Sequence, residues 1–200
     1  MVILRYNDGM EKNTKNARER LIDATFDEVY EKGYQGASLT DILAKAGVHK
    51  GSMYHFFANK KEMTMSALSE KMSERFTTKY GKIVEMDGGY IGALFETLLD
   101  TSNRDFRRGC PLANIVQEMS NLDDDFDKLS KEFYRNFRGA VQAVLDKAVQ
   151  AGELKGCNTE TLALFVTVVI EGAILAAKAT GEADDYVSAI GMLKMVFGNL

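Results

Sequence analysis

The 200-residue chain has one proline, no tryptophan, two cysteines and two histidines. Each shortage removes a class of explanation. With proline scarce, little interrupts a helix, and the abundance of Ala, Leu, Lys, Glu and Met points to an all-helical protein. Cys110 and Cys157 lie too far apart to read as a disulfide framework or a metal-ligand spacing, so a reducing cytoplasm is the expected compartment. His49 and His55 fall in a single segment, and no Ser–His–Asp or Cys–His set forms without them. No convincing strand precedes a glycine-rich phosphate loop. The N-terminus lacks an apolar signal core. The longest apolar run, Leu162 to Ala177, is shorter than the roughly 20 residues of a membrane span and is broken by Glu171. No enzyme, cofactor, metal site or membrane role is therefore expected.

Excess positive charge is also missing. The net charge is −4; residues 1–60 hold nine Lys/Arg against eight Asp/Glu, and the remainder sixteen against twenty-one. Any DNA binding must rest on a few placed contacts and be sensitive to salt.

What is present is helical punctuation. Residues 1–13 show no period and read as a flexible arm, with Met10 an alternative start. The pattern predicts a first helix over Thr14–Lys32, ended by Gly33 in a left-handed conformation. Ser38 to Asp41 opens a second helix, about Leu39–Ala46, like a capping box. Gly47 then turns the chain, Val48 plugs the turn, and a third helix follows over about Lys50–Phe56. Ala44 and Gly47 are expected at the close crossing of the two. Asn59 to Glu62 opens a fourth helix reaching toward Lys82. Three short helices with a turn of about four residues between the last two make a helix-turn-helix over residues 14–60. In the third, Lys50, Gly51, Ser52, Tyr54 and His55 form a polar leading edge, while Val48, Met53 and Phe57 form an apolar back. A recognition helix needs both, because it holds its own domain behind and meets a major groove in front.

The stretch "LIDATFDEVYEKGYQGASLTDILAKAGVHKGSMYHFFANKKEM", Leu21 to Met63, resembles the DNA-binding domain of the TetR (tetracycline-repressor-like) family. Phe26, Gly33-Tyr34, Ala37-Ser38, Ile42, Ala44, Ala46-Gly47-Val48, Lys50-Gly51-Ser52, Tyr54, Phe57 and Lys60 to Met63 carry the likeness. The resemblance implies a homodimeric regulator, a repressor, that reads a palindromic double-stranded operator and is released by a small effector. It gives a DNA-contacting set of Ser38, Thr40, His49, Lys50, Gly51, Ser52, Tyr54, His55 and Lys60. Two positions depart from the pattern. His49 stands where the family usually has Ser or Thr, a better N-cap. Phe56 stands where many relatives carry His or Tyr.

Residues 61–200 are expected to form the effector-binding and dimerisation domain. Helices are predicted near Tyr90–Ser102, Pro111–Ser120, Asp123–Ala151, Thr159–Thr180 and Asp184–Phe197. The last two resemble the pair through which the family dimerises, and Glu171 is expected to pair across that interface. An apolar-aromatic stripe on the middle helices supplies candidate effector contacts: Phe95, Leu98, Leu99, Leu112, Ile115, Met119, Phe133, Phe137, Val141 and Phe165. Such a stripe is also what an ordinary core shows; as a pocket it would take an apolar or amphipathic effector. Cys110 sits before a helix start, with Arg107 and Arg108 upstream. Positive potential there would favour a thiolate and a redox or electrophile sensor; a buried structural cysteine is the competing reading. The carboxylates of Leu122 to Asp127 read as helix capping rather than metal ligands. A DNA-binding adaptor controlled by a protein partner is a further alternative, which a solid C-terminal core would favour and a cavity would oppose.

Overall fold

The computed structural model describes residues 16–198; the expected arm and the start at Thr14 lie outside them. Among the described residues ten α-helices follow one another and there is no strand. The head comprises α1 (Ala17–Gly36), α2 (Leu39–Ala46), α3 (Lys50–Met53) and the first part of α4 (Lys60–Phe76). α4 runs through a π-helical stretch, Thr77–Gly81, into the short α5 (Lys82–Val84). The body adds α6 (Tyr90–Leu99), α7 (Pro111–Met119), α8 (Asp124–Gln150), α9 (Thr159–Thr180) and α10 (Ala183–Phe197). The expected division at residues 60 and 61 falls at the start of α4, which packs on both α1 and α8.

Local chemistry sets the head's boundaries. Asn16 caps α1 through a capping box with Glu19. At Gly33 the backbone takes φ 76° and ψ 169°, a positive-φ conformation as expected, yet extended in ψ rather than left-handed helical. The chain bends there and completes one further turn to Gly36. Ser38 Oγ accepts from the Asp41 amide at 3.0 Å, but Asp41 itself turns to Lys32 instead of closing the box. Gly47 ends α2 in the left-handed region at φ 61°. Ala44 is exposed, so it is not at a helix crossing; the buried small residue is Ala46. α3 is shorter than the periodicity predicts. His49 makes no side-chain cap bond, and after Met53 the amides of His55 and Phe56 turn back to Ser52 and Met53 at 3.3 and 2.9 Å. These tighter i→i+3 bonds replace the α-helical ladder over Tyr54–Phe56.

The body follows the predicted order closely. α6 stops at Leu99 because the Asp100 carboxylate accepts from both the amide and hydroxyl of Ser102. Asp123 caps α8 by accepting from the Asp125 and Phe126 amides, which accounts for one of the clustered carboxylates. α9, at 22 residues, extends past both ends of its apolar run and is long and apolar enough to cross a membrane by those criteria alone. Here it packs on α8 and α10 and buries Ala163, Val166, Ile170, Ala173 and Ala177.

Candidate nucleic-acid interface and ligand cavity

Ser38, Thr40, His49, Lys50, Gly51, Ser52, Tyr54 and His55 are all exposed, on α2, α3 and the turns around them. Directly behind them Ile42, Val48, Met53 and Phe57 are buried. The amphipathic division read from the sequence is therefore present in three dimensions. Among the described residues the Lys50 ammonium has no hydrogen-bond or ion-pair partner. A Cβ placed on Gly51 would meet nothing within 4 Å, so no packing within the chain requires glycine there. Lys60 is placed differently from the other eight. Its Nζ donates to the Tyr34 and Ala37 carbonyls at 2.6 and 2.7 Å and lies 4.4 Å from the Tyr34 ring, and burial lowers its pKa. Two of its three donors thus close the α1–α2 connection, leaving one for a phosphate.

Head and body are joined by polar contacts. Glu118 of α7 accepts from the Tyr34 and Gln35 amides at 2.8 Å each, capping the bend at Gly33. Arg108 pairs with Glu31 and donates to the Asp27 carbonyl, and its guanidinium stacks 3.9 Å from the Tyr30 ring. The Tyr30 hydroxyl donates to the Gly109 carbonyl at 2.6 Å. Lys61 bridges Asp123 and Asp125, whose hydrogen bonds hold its pKa above the ordinary lysine value.

A cavity of about 190 Å³ opens at this joint. α1 contributes Tyr30; α4 and the π-helical stretch contribute Met72, Arg75, Phe76, Lys79 and Tyr80. The loop before α7 supplies Asn103 to Phe106 and Arg108 to Cys110. Pro111 and Leu112 of α7, Phe137 of α8 and Ile170, Glu171 and Ile174 of α9 close it. Burial, with Arg104 and Arg75 adding repulsion, brings the Lys79 pKa down to about 8.

This placement corrects the effector set expected from the apolar stripe. Only Leu112 and Phe137 of that set line the cavity. Phe95, Leu98, Ile115, Met119, Phe133 and Val141 are buried core, Leu99 packs against that core, and Phe165 is 44% exposed on the outer face of α9. The stripe was the interior of the body. The cavity lies nearer the head and has charged walls. A same-sign spacing was the nearest signal in the sequence: Lys71 and Arg75 of α4 and Lys79 of the π-helical stretch recur every four residues, where like charges repel unless something compensates them. Lys71 is compensated by Asp23 and Glu74.

Two further expectations change. Glu171 faces the cavity rather than an interface, and its Oε1 accepts the Cys110 thiol at 3.2 Å. The Cys110 pKa is pushed up to about 12 by burial and by Glu171. Arg107 turns away to Asp105 and Arg108 to Glu31, so neither stabilises a thiolate. The half-buried thiol bonded to Glu171 favours the structural reading over the sensor.

Residues 21–66 match the bacterial regulatory proteins of the tetR family, and residues 90–193 match the tetracyclin repressor-like C-terminal domain. The chain belongs to the TetR family. It is accordingly a ligand-responsive, DNA-binding regulator of transcription of the repressor type. The chain is 30% identical to the transcriptional regulator AcuR of Cereibacter sphaeroides over 172 residues, 81% of this chain and 76% of that one. It is 28% identical to an uncharacterized HTH-type regulator from the lacX 3' region of Lactococcus lactis, over 92% of this chain and 95% of that one. The crystal structure of reduced Escherichia coli NemR shares the fold with a TM-score of 0.81 at 21% identity, covering 90% of this chain and 96% of that one. Within the TetR family frame, the exposed face at residues 38–55 is the candidate operator-reading surface and the joint cavity the candidate effector site.

Proposed function

We propose that two copies of this chain associate through α9 and α10 and present their α3 segments to successive major grooves of a palindromic operator in the cytoplasm. Leu164, Phe165, Val168 and Leu175 of α9, with Val187, Met192 and Val196 of α10, expose apolar surface on adjoining helices. Monomers rarely leave so much apolar surface contiguous, which supports a second copy as its cover. Lys50, Ser52 and Gly51 lie at base edges or the nearby backbone; Ser38, Thr40, His49, Tyr54, His55 and the remaining donor of Lys60 hold phosphates.

The observation that carries the regulatory half is the wall the cavity shares with the head. Tyr30 of α1 and Arg75 and Phe76 of α4 line it, so a ligand there presses on the two helices that aim α3. Its entry tilts α4 and moves the two recognition segments out of their roughly 34–36 Å register, releasing the operator. A cavity in the body also favours a small ligand over a protein partner as the controlling agent. Titrating a labelled promoter fragment against a scrambled duplex of equal length, at moderate salt, tests the reading. Tighter binding to the promoter is expected; equal affinity refutes sequence-specific regulation.

A further inference from the structure

The walls of the joint cavity carry charge that they do not cancel. Arg75 and Lys79 come from α4 and the π-helical stretch, and Arg104 from the loop opposite. Among the described residues the Lys79 ammonium has no hydrogen-bond or ion-pair partner. Arg75 meets only the rings of Phe26 and Tyr30, at 5.2 and 5.6 Å. Arg104 lies 4.7 Å from the Tyr186 ring and makes a long 3.4 Å bond to the Asp100 carbonyl. The other charged walls are already matched: Arg108 by Glu31, and Asp105 by Arg107.

That leaves Glu171 as the counter-charge. Its Oε1 takes the Cys110 thiol, its Oε2 is buried without a partner, and burial raises its pKa toward the neutral acid. Three cations without a carboxylate ion pair among the described residues therefore share the cavity with Glu171, whose pKa burial raises. Lys79 and Arg104 are half-buried beside the exposed Arg75, and like charges held close together are unfavourable until an opposite charge joins them. Burial first, and then repulsion from Arg104 and Arg75, depresses the Lys79 pKa. Phe76, Leu112, Phe137, Ile170 and Ile174 add apolar surface to the same cavity, beside the polar side chains of Asn103, Tyr30 and Tyr80. At about 190 Å³ the cavity is smaller than the roughly 300–1,000 Å³ typical of drug-sized sites.

We infer that this cavity binds a small amphipathic organic anion, a carboxylate on a short aryl or alkyl body. Its head lies among Lys79, Arg104 and Arg75, and its body against Phe137, Ile170 and Ile174. The inference rests on the ligand-released reading above and deepens it by naming the chemical class of the effector. It narrows the apolar or amphipathic effector expected from the stripe to an anionic one.

Isothermal titration calorimetry of the full-length protein without DNA tests it, using 3-phenylpropionate, 3-phenylpropionamide and inorganic phosphate near neutral pH. The carboxylate should bind at least about tenfold more tightly than the amide, because a charge-assisted bond replaces a neutral one. Phosphate, lacking the apolar body, should bind more weakly than the carboxylate. Lys79→Met should erase the preference for carboxylate over amide, and Lys79→Arg should keep it; Arg104→Gln serves if Lys79→Met does not fold. An amide that matches the carboxylate, phosphate that exceeds it, or no heat from any probe at millimolar concentration overturns the inference. Operator affinity is measured separately without ligand. A protein that binds the carboxylate yet ignores its promoter keeps the anion site and loses the regulator reading; one that binds its promoter and shows no carboxylate preference does the reverse.

Discussion

Head and body use their polar side chains in opposite directions. In the head the functional candidates point outward: Lys50, Ser52, Tyr54 and His55 are exposed, with Met53 and Phe57 buried behind them. In the body the distinctive polar groups point inward, since Lys79, Arg104 and Glu171 line a cavity whose back wall is Phe137 and Ile170. The rule that apolar residues face the core and polar ones face water therefore points to the first candidate site and away from the second. A surface that meets DNA resembles any solvated face until its spacing is read. A pocket that receives a charged ligand departs from that rule, and the departure is its signature.

The comparison is broken most severely by separating the two copies. Leu175→Glu places a carboxylate on the exposed face of α9, where Leu175 is 55% accessible. The variant should sediment as a folded monomer. Operator affinity should fall by roughly 10²–10⁴, since the second head no longer acts at high effective concentration. An intact dimer with Leu175→Glu would move the interface elsewhere.

Lys50→Ala is the matching change in the head. Loss of a base or phosphate contact should weaken operator binding by about 1–3 kcal/mol, read by fluorescence anisotropy. Sedimentation should show the dimer unchanged. Loss of the dimer would contradict the division of labour between the halves.

How much of this was legible in the sequence differs by region for the same physical reason. The order of the body helices was readable because caps and glycines act locally: Asp123 opens α8, Gly181 closes α9, and both are visible in a short window. The head was readable in greater detail because its turn chemistry and its amphipathic faces agree. Its third helix was read too long at its C-terminal end, because periodicity does not register that the chain tightens after Met53. The cavity was not readable from apolar periodicity, since residues far apart in the chain build it, from Tyr30 to Ile174, and a π-helical stretch shifts Lys79 and Tyr80 relative to an ideal α-helix. The fate of Cys110 was likewise non-local. The arginines beside it in sequence turn to other partners, and Glu171, distant in sequence, meets the thiol.

The joint between the halves gives a smaller effect. Glu118→Ala removes the acceptor for the Tyr34 and Gln35 amides. Partly exposed as it is, the loss should cost about 1 kcal/mol of stability in a denaturant titration. Promoter binding without ligand should persist, while ligand-induced release should weaken. Unchanged release would place the coupling on α4 alone.

The smallest expected effect is on pH dependence. Lys79 titrates at about 8 in the folded chain and at the ordinary 10.5 when unfolded. Between those values the unfolded chain binds more protons, so this group makes the ligand-free protein more stable as pH rises through that window. Arg75, Arg104, Asp100 and Cys110 set the shift together with burial and do not reverse its sign. Affinity for 3-phenylpropionate should do the opposite, holding below about pH 8 and falling above it as the ammonium loses its charge. A flat affinity profile would remove Lys79 from the anion's head group.

On the reading proposed above, the exposed face around Gly51 meets duplex DNA in two symmetric copies. A hydroxyl-radical footprint on a duplex selected in vitro from random sequence tests it most directly. Two protected half-sites of inverted sequence, on one face of the helix and about one turn or a whole multiple of it apart, are the predicted result, with protection lost in Lys50→Ala. Uniform protection, a single unsymmetrical site, or a footprint indifferent to Lys50→Ala would contradict it.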